Sequence, residues 1–490
     1  MAPHLDELTS LVDPDNESRT DNFHEAVITG PPQTVNDDGT NSPPAEDATD
    51  SPPAEDDAGS DSDLDSGVDA TSTIVYDQES FSTFQVRVKK LVLETIWPGT
   101  NEDHVTVERL TGGGYNRIIG ITRQIKHQPK DGKHCWPGKL IWKRFWSGAK
   151  RRRLHMSTPD EYILRIPRFE GARLDRDIAI LQFIHRYTTI PAPTVLAFDV
   201  KSENPLKSPY MVQNRIKGTD LFHLFPKLAH EDRCRVAREL GNILNQMLAV
   251  ESSVAGVVTF SEDQQNLNAP IYVANFPKVE PQETPVPYCR GRTTRPVREL
   301  LTDIFEAHRA VYIQKSPNSD FMPEIMNSLC TMAAELESAG WLTNLPNCLA
   351  HLDFAPRNIL ADPASAPTEP IITAVLDWDS AVVGPIFMAC TPPLWIWGWQ
   401  DDDDEDERTA NDEPSDPKNR ELKHIFEEAA GKEYIHYAYE PVYRLARRLV
   451  RFAMENLRSG EDFPEKDEML AEWASIRKLR QEHLQSTAIG

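Results

Sequence analysis

The sequence predicts an α+β chain of two lobes, a small β-rich one followed by a larger, mainly helical one, behind a disordered acidic tail. Three observations carry that expectation. From Val105 onward, β-forming residues alternate on either side of a glycine cluster, the pattern of strand, turn and strand. After about residue 219, apolar residues recur mainly at helical spacing. Residues 1–72 are rich in Asp, Glu, Ser, Pro and Thr, and cannot bury enough apolar surface to offset the entropy of ordering them. The expected boundaries are a tail at 1–72, an N-terminal lobe at 73–218 and a C-terminal lobe at 219–490.

The tail holds most of the acidity. Its first 70 residues carry nineteen Asp and Glu against one basic residue, Arg19, out of a formal net charge of −25. It repeats "SPPAED" at Ser42 and Ser51, and serines set among acids, as in "GSDSDLDSG", are candidate phosphorylation sites. A solvated spacer is the simpler reading, with a protein partner as the candidate ligand of such a tail. A second acidic run, "DDDDEDE" at Asp401 to Glu407, accounts for the remaining excess. The rest of the chain is close to neutral, which argues against a nucleic-acid-binding body.

Along the folded part, "VTVERLTGGGYNRIIGITRQI" reads as strand, glycine loop and strand. A basic, aromatic-containing insert follows at about 126–153, with Arg151, Arg152 and Arg153 in a row. We read it as a solvated insertion loop; binding of RNA, acidic lipid or a nuclear importer is the alternative. "EYILRIP" is a further strand, and "DRDIAILQFIHRY" spaces Ile178, Leu181, Phe183 and Ile184 as a helix. "SPYMVQNRIKGTDL" is a strand running into a glycine-containing connection. Beyond it, "HEDRCRVARELGNILNQMLAV" and "EPVYRLARRLVRFAMENL" are helical, with irregular Pro-rich chain at roughly 260–297 and an acidic insert at roughly 400–420.

Composition limits the compartment as well. Six scattered cysteines show no C-x-x-C pair and no metal-ligand spacing, as expected of a reduced interior. "MAPHLDELTS" has neither a basic nor an apolar signal region, so a cytoplasmic protein is expected, with the nucleus open through the Arg151–Arg153 run. Ala381 to Trp399 is uncharged, but Pro385, Pro392 and Pro393 would break a spanning helix, and the run reads as buried core and turns.

The residues that carry chemistry fall in one order. Phosphoryl transfer needs a cradle for nucleotide phosphates, a divalent metal, a cation on the phosphates and a group to position the attacking hydroxyl. "HLDFAPRNIL" sets out H-x-D-x-x-x-x-N, in which Asp353 is the candidate catalytic base, His351 organises the catalytic loop and Asn358 is a candidate Mg2+ ligand. Nineteen residues on, a β-like run in "VLDWDSA" delivers Asp377 as a second metal ligand, with Asp379 two residues later. Each of these also has a plain reading as a turn or strand cap. Gly112, Gly113 and Gly114, followed by Asn116, form a turn whose amides are free to cover phosphates. Arg165 stands alone among apolar residues of its strand, either as a phosphate-binding cation or as a solvent-facing edge residue, and Asp177 lies twelve residues on in the helix.

Together "GGGYNR", "YILRIP", "PYMVQNRIKG", "HLDFAPRNIL" and "VLDWDSAVVGP" resemble the aminoglycoside phosphotransferase-like family, a branch of the protein-kinase-like two-lobe fold that includes choline and fructosamine kinases. The resemblance covers about residues 105–455. "DWD" is similar to that family's D-W-[DE], and no A-P-E triplet follows it. The resemblance implies an ATP- and Mg2+-dependent kinase of a small-molecule hydroxyl. Asp353 would be the base, Asn358 and Asp377 the metal ligands, Arg165 the phosphate cation and Asp177 its helical partner. Met211 to Ile216, with Gln213 and Asn214, would be the hinge that meets adenine. A nucleotide-binding pseudokinase is the rival reading, and a protein kinase a more distant one.

Overall fold

The computed structural model describes residues 79–110, 115–124, 160–169, 172–260, 267, 269–276, 295–399, 406–457 and 460–489. The glycines at 112–114, the basic insert, the tail and most of the acidic run lie outside them.

Helix α1 (Phe81–Leu91) opens the smaller lobe and continues as a wider turn through Ile96. Strands β1 (Val105–Arg109), β2 (Asn116–Arg123) and β3 (Asp160–Pro167) follow, then helix α2 (Leu174–Tyr187) and strands β4 (Val195–Asp199) and β5 (Tyr210–Asn214). The five strands form one antiparallel sheet in the order β1-β2-β3-β5-β4. Side chains alternate across a pleated strand. Leu164 and Ile166 of β3 therefore point into a small core with Phe84, Val88 and Leu91 of α1, spaced to share one helix face. Arg165, between them, faces the other way, directly opposite Met211 of β5. Helix α2 sends Ile178, Leu181 and Ile184 into the larger core, not the smaller one.

That larger core belongs to the helical lobe. It begins with β6 (Thr219–Asp220), α3 (Leu221–Leu224) and α4 (His230–Leu248), then the hairpin β7 (Val257–Phe260) and β8 (Ile271–Ala274). The hairpin lies where irregular, Pro-rich chain is expected. Helices α5 (Val297–Lys315) and α6 (Phe321–Ser338) lead to four short strands, β9 (Asn347–Ala350), β10 (Ile359–Ala361), β11 (Ile372–Val375) and β12 (Val382–Pro385). These pair as β11-β10-β6 and β12-β9, so the segments flanking the H-x-D motif are strand ends. Helices α7 (Pro417–Tyr439), α8 (Pro441–Glu455) and α9 (Asp462–Ile489) complete the lobe.

Two local features hold this lobe tight. A Cβ at Gly241 of α4 would fall 2.8 Å from the Phe426 carbonyl oxygen and 2.7 Å from the Ala429 Cβ of α7, so the two helices approach closely only because it is glycine. The uncharged run after Ala381 is buried core, as expected, with Phe387, Trp395 and Trp397 in its interior. No helix of the described residues is long and apolar enough to cross a membrane. Cys234, Cys330, Cys348 and Cys390 are all free thiols.

Candidate active site

Two loops build the site, and both hang from the β10–β11 pair. The first runs from the end of β9, at Ala350, to the start of β10, at Ile359, through a tight turn begun by Pro356. The second leaves β11 at Val375 and turns sharply at Asp377. Asp377 has φ 59° and ψ 51°, in the left-handed region. A residue with a Cβ pays about 1 kcal/mol to stay there, and such strain is held only where the surroundings enforce it.

Here the enforcement comes from Leu376. Its carbonyl lies 2.8 Å from His351 Nε2, and its N–H donates to the Asn358 carbonyl at 2.7 Å. The Asp353 N–H donates to His351 Nδ1 at 3.2 Å. A backbone amide only donates and a carbonyl only accepts, so the proton of this imidazole sits on Nε2. The ring is 4% exposed, and burial pulls its pKa below the ordinary value, which keeps it neutral. Trp378 closes over it with ring centres 4.6 Å apart. Nδ1 thus holds the turn of the first loop, and Nε2 joins that loop to the second. His351 is a positioning residue, and its expected part in organising the catalytic loop extends to the second loop.

Asn358 donates from Nδ2 to Asp353 Oδ2 at 2.9 Å and to the Asp353 carbonyl at 3.0 Å. Its amide nitrogen is thus committed, and any metal contact falls to Oδ1. Asp353 Oδ1 accepts from Arg357 at 2.5 Å. The Asp353 side chain is 37% exposed and that of Asp377 50%, so both remain open to a ligand.

Arg165 reaches this face from the smaller lobe. Its guanidinium lies 2.5 Å from Asp379 Oδ2 and 3.9 Å from Asp377 Oδ1. This corrects the expected partnership: the carboxylate in contact is Asp379, while no ion pair joins Arg165 to Asp177. The reason is local. The turn at Trp378–Ser380 swings the second aspartate of "DWD" toward the sheet, while Asp177 is one methylene shorter than a glutamate. Asp177 still acts through its field. Burial and the neighbouring Asp379 charge raise its carboxyl pKa well above the usual carboxylate range, against the pull of Arg165 and Arg176. Burial, then Asp379, raises Asp377 too, with Arg165 opposing. For Arg165 itself burial pulls the pKa down, but Asp379, Asp177 and Asp377 outweigh it and the result is a rise.

The remaining expected residues flank this centre. Asn116 begins β2 opposite Pro167, just after the glycines that lie outside the described residues. Gln213 is opposite Ile163, on the face of the sheet that Arg165 uses, and its buried Oε1 has no partner among the described residues. Asn214 is different: its Oδ1 accepts from the Thr194 N–H at 2.6 Å, so its side chain fastens the end of β5 to the chain before β4. The Asn214 and Arg215 N–H groups donate to the carbonyls of Thr194 and Glu161. The next amide, that of Ile216, has no backbone acceptor among the described residues. Sequence reasoning gave Asp379 no role and passed over Arg357. The available signals were the D-x-D spacing and an arginine four residues after Asp353.

The model of the phosphotransferase enzyme family matches residues 141–413, more than half of this chain, and the chain belongs to that family, with its protein-kinase-like fold. No curated protein matches. Several solved structures are similar. A thermostable mutant of aminoglycoside phosphotransferase APH(4)-Ia, in ternary complex with AMP-PNP and hygromycin B, is 16% identical over 79% of this chain and 97% of that one, with a TM-score of 0.41. The ADP-bound aminoglycoside phosphotransferase APH(2'')-Ib is 11% identical over 78% and 96%, with a TM-score of 0.42. The GDP and kanamycin complex of APH(2")-IIia is 12% identical over 80% and 99%, with a TM-score of 0.40.

Proposed function

We propose that this protein is an ATP- and Mg2+-dependent phosphotransferase that moves the γ-phosphoryl group to a hydroxyl of a small molecule. One observation carries the reading: the Leu376 junction ties the loop of Asp353 and Asn358 to the loop of Asp377, with the Arg165 guanidinium 3.9 Å from the Asp377 carboxylate. Membership of the phosphotransferase family supports it.

The donor set fits a hard divalent ion. Asn358 Oδ1 and a carboxylate oxygen of Asp377 are the ligands a Mg2+ shared with phosphates would take, and bound there it would offset phosphate charge. Asp377 and Asp379 both lie against Arg165, and the half-exposed Asp377 side chain keeps carboxylate oxygen open to a cation. In the reaction, the acceptor oxygen bonds to the γ-phosphorus as the bond to the β,γ-bridging oxygen breaks, and ADP leaves. Asp353 orients the acceptor hydroxyl and takes its proton. Arg165 steadies the phosphates and is itself held by Asp379. Gly112, Gly113 and Gly114, with Asn116, cover the phosphates. The hinge from Met211 to Ile216 receives adenine, with the Ile216 amide as the available donor. Residues 73–218 and 219–490 act as the two lobes, and the protein works in the cytoplasm.

The test is nucleotide binding by thermal shift, with ATP in the presence and absence of Mg2+, on wild type, Asp377→Ala and Asp353→Asn. The expected result is Mg2+-dependent stabilisation that Asp377→Ala loses and Asp353→Asn keeps, with phosphoryl transfer lost in both. No shift with millimolar ATP in the wild type would end the proposal.

A further inference from the structure

Beside the catalytic loop lies a cavity of about 700 Å3, bounded by Leu352, the end of the acidic run with Arg408 after it, and the facing sides of α8 and α9. That is room for a molecule of one to three sugar rings. Leu352 is the chain neighbour of Asp353 and the member of that loop that lines the cavity, so the cavity lies against the loop that carries the proposed base. Among the described residues, five arginines and five carboxylates line the wall, and these ten charges balance. Four of the arginines, Arg444, Arg447, Arg448 and Arg451, are the i, i+3, i+4, i+7 stripe of α8.

These charges are closed on one another. Arg447 meets Glu407 at 2.5 Å, Arg448 meets Glu465 at 3.0 Å, and Arg451 also pairs with Glu465. Arg408 bridges Asp406 and Glu468, each at 2.8 Å. Among the described residues, every lining arginine and every lining carboxylate is within ion-pair distance of an opposite charge. A ligand charge of either sign meets no unpaired opposite charge on this wall and has to compete with the pairs already made. A hydroxyl breaks nothing. It donates to a spare carboxylate lone pair and accepts from a spare guanidinium N–H, and a paired wall still offers both. Leu352, Met388, Val450 and Met454 supply apolar wall for the C–H faces of such a molecule.

We propose that the acceptor is an uncharged, polyhydroxylated molecule of carbohydrate type, bound in this cavity, and not a polycation, a polyanion or a zwitterion. The inference rests on the phosphotransferase reading only for the word acceptor; the ligand class follows from the wall. The test separates the two. Isothermal titration of the full chain without nucleotide, using maltose and inositol, glucose 6-phosphate and gluconate, kanamycin and spermine, and glycine betaine, reads the cavity alone. Mass detection of phosphorylated product with Mg-ATP then reads transfer. Binding is expected among the neutral probes, with the charged ones weaker by about tenfold or more. Glu465→Gln, which deprives Arg448 and Arg451 of their shared carboxylate, is expected to strengthen glucose 6-phosphate or gluconate binding by about tenfold. Tighter binding of any charged probe by the wild type, or no binding across the set, overturns the proposal. Neutral binding without product overturns the phosphotransferase reading and leaves the ligand class standing.

Discussion

Replacing Asp379 by Asn tests the central ion pair directly. The Arg165 side chain is 11% exposed and that of Asp379 29%, with an N···O distance of 2.5 Å. With charge centres about 4 Å apart in surroundings of effective dielectric about 20, the gross attraction is on the order of 4 kcal/mol. Two effects reduce the loss. Asp379 is partly hydrated, and Asp377, at 3.9 Å, remains to compensate the guanidinium. Together they leave a net destabilisation of about 2 kcal/mol. Urea unfolding of the metal-free protein, followed by tryptophan fluorescence, measures it, with Asp177→Asn run in parallel. Asp379→Asn is expected to lower the midpoint and to weaken Mg-ATP binding, because Arg165 is no longer held against the metal face. The reasoning is refuted if Asp379→Asn unfolds like the wild type while Asp177→Asn loses about 2 kcal/mol, for then Asp177 would be the working partner.

Other perturbations follow from the same geometry. Asp177→Asn is expected to stabilise the metal-free protein near neutral pH. A carboxyl with a raised folded pKa contributes most at low pH and loses that contribution as pH rises through the raised value, so the variant's advantage disappears on acidification; unfolding curves across pH check the sign. His351→Ala removes two hydrogen bonds and strands the Leu376 carbonyl and the Asp353 amide, a cost of about 3 kcal/mol, and is expected to lower kcat by about 100-fold with little change in nucleotide Kd. Because the ring stays neutral, the wild-type pH–rate profile should show no histidine limb assignable to His351. Gly241→Ala puts a Cβ against α7 backbone and is expected to cost about 1–3 kcal/mol in unfolding without altering nucleotide affinity.

The two loops that carry the candidate residues were legible because they are written in local sequence. The H-x-D-x-x-x-x-N spacing and the strand ahead of Asp377 each specify a loop whose ends are fixed by strand pairing, and the structure brings them together. The partner of Arg165 was not legible. It depends on a left-handed turn at Asp377, and spacing along the chain does not say which way the following residues point. The same limit hid the closure of the α8 arginines, since helical spacing shows that they share a face but not that α9 supplies the opposing acids. It also left the acidic run ambiguous, although its last two members, Asp406 and Glu407, pair with Arg408 and Arg447. The β7–β8 hairpin escaped because short strands among prolines lack a countable period. Helix α1 escaped because its 11 residues bury only three side chains.

The Leu376 junction has a consequence for how this protein tolerates change. What binds the two loops there is main chain on the Leu376 side, and the leucine side chain takes no part in either hydrogen bond. Substitution at position 376 should therefore be nearly silent across side-chain types of similar bulk. Proline is the exception, because it removes the N–H that Asn358 accepts. A series of residues of similar bulk scored by Mg-ATP binding should show a permissive position, with proline sharply excluded. Mutational drift among residues of similar bulk can rewrite that side chain while the register between Asp353 and Asp377 is passed on unchanged.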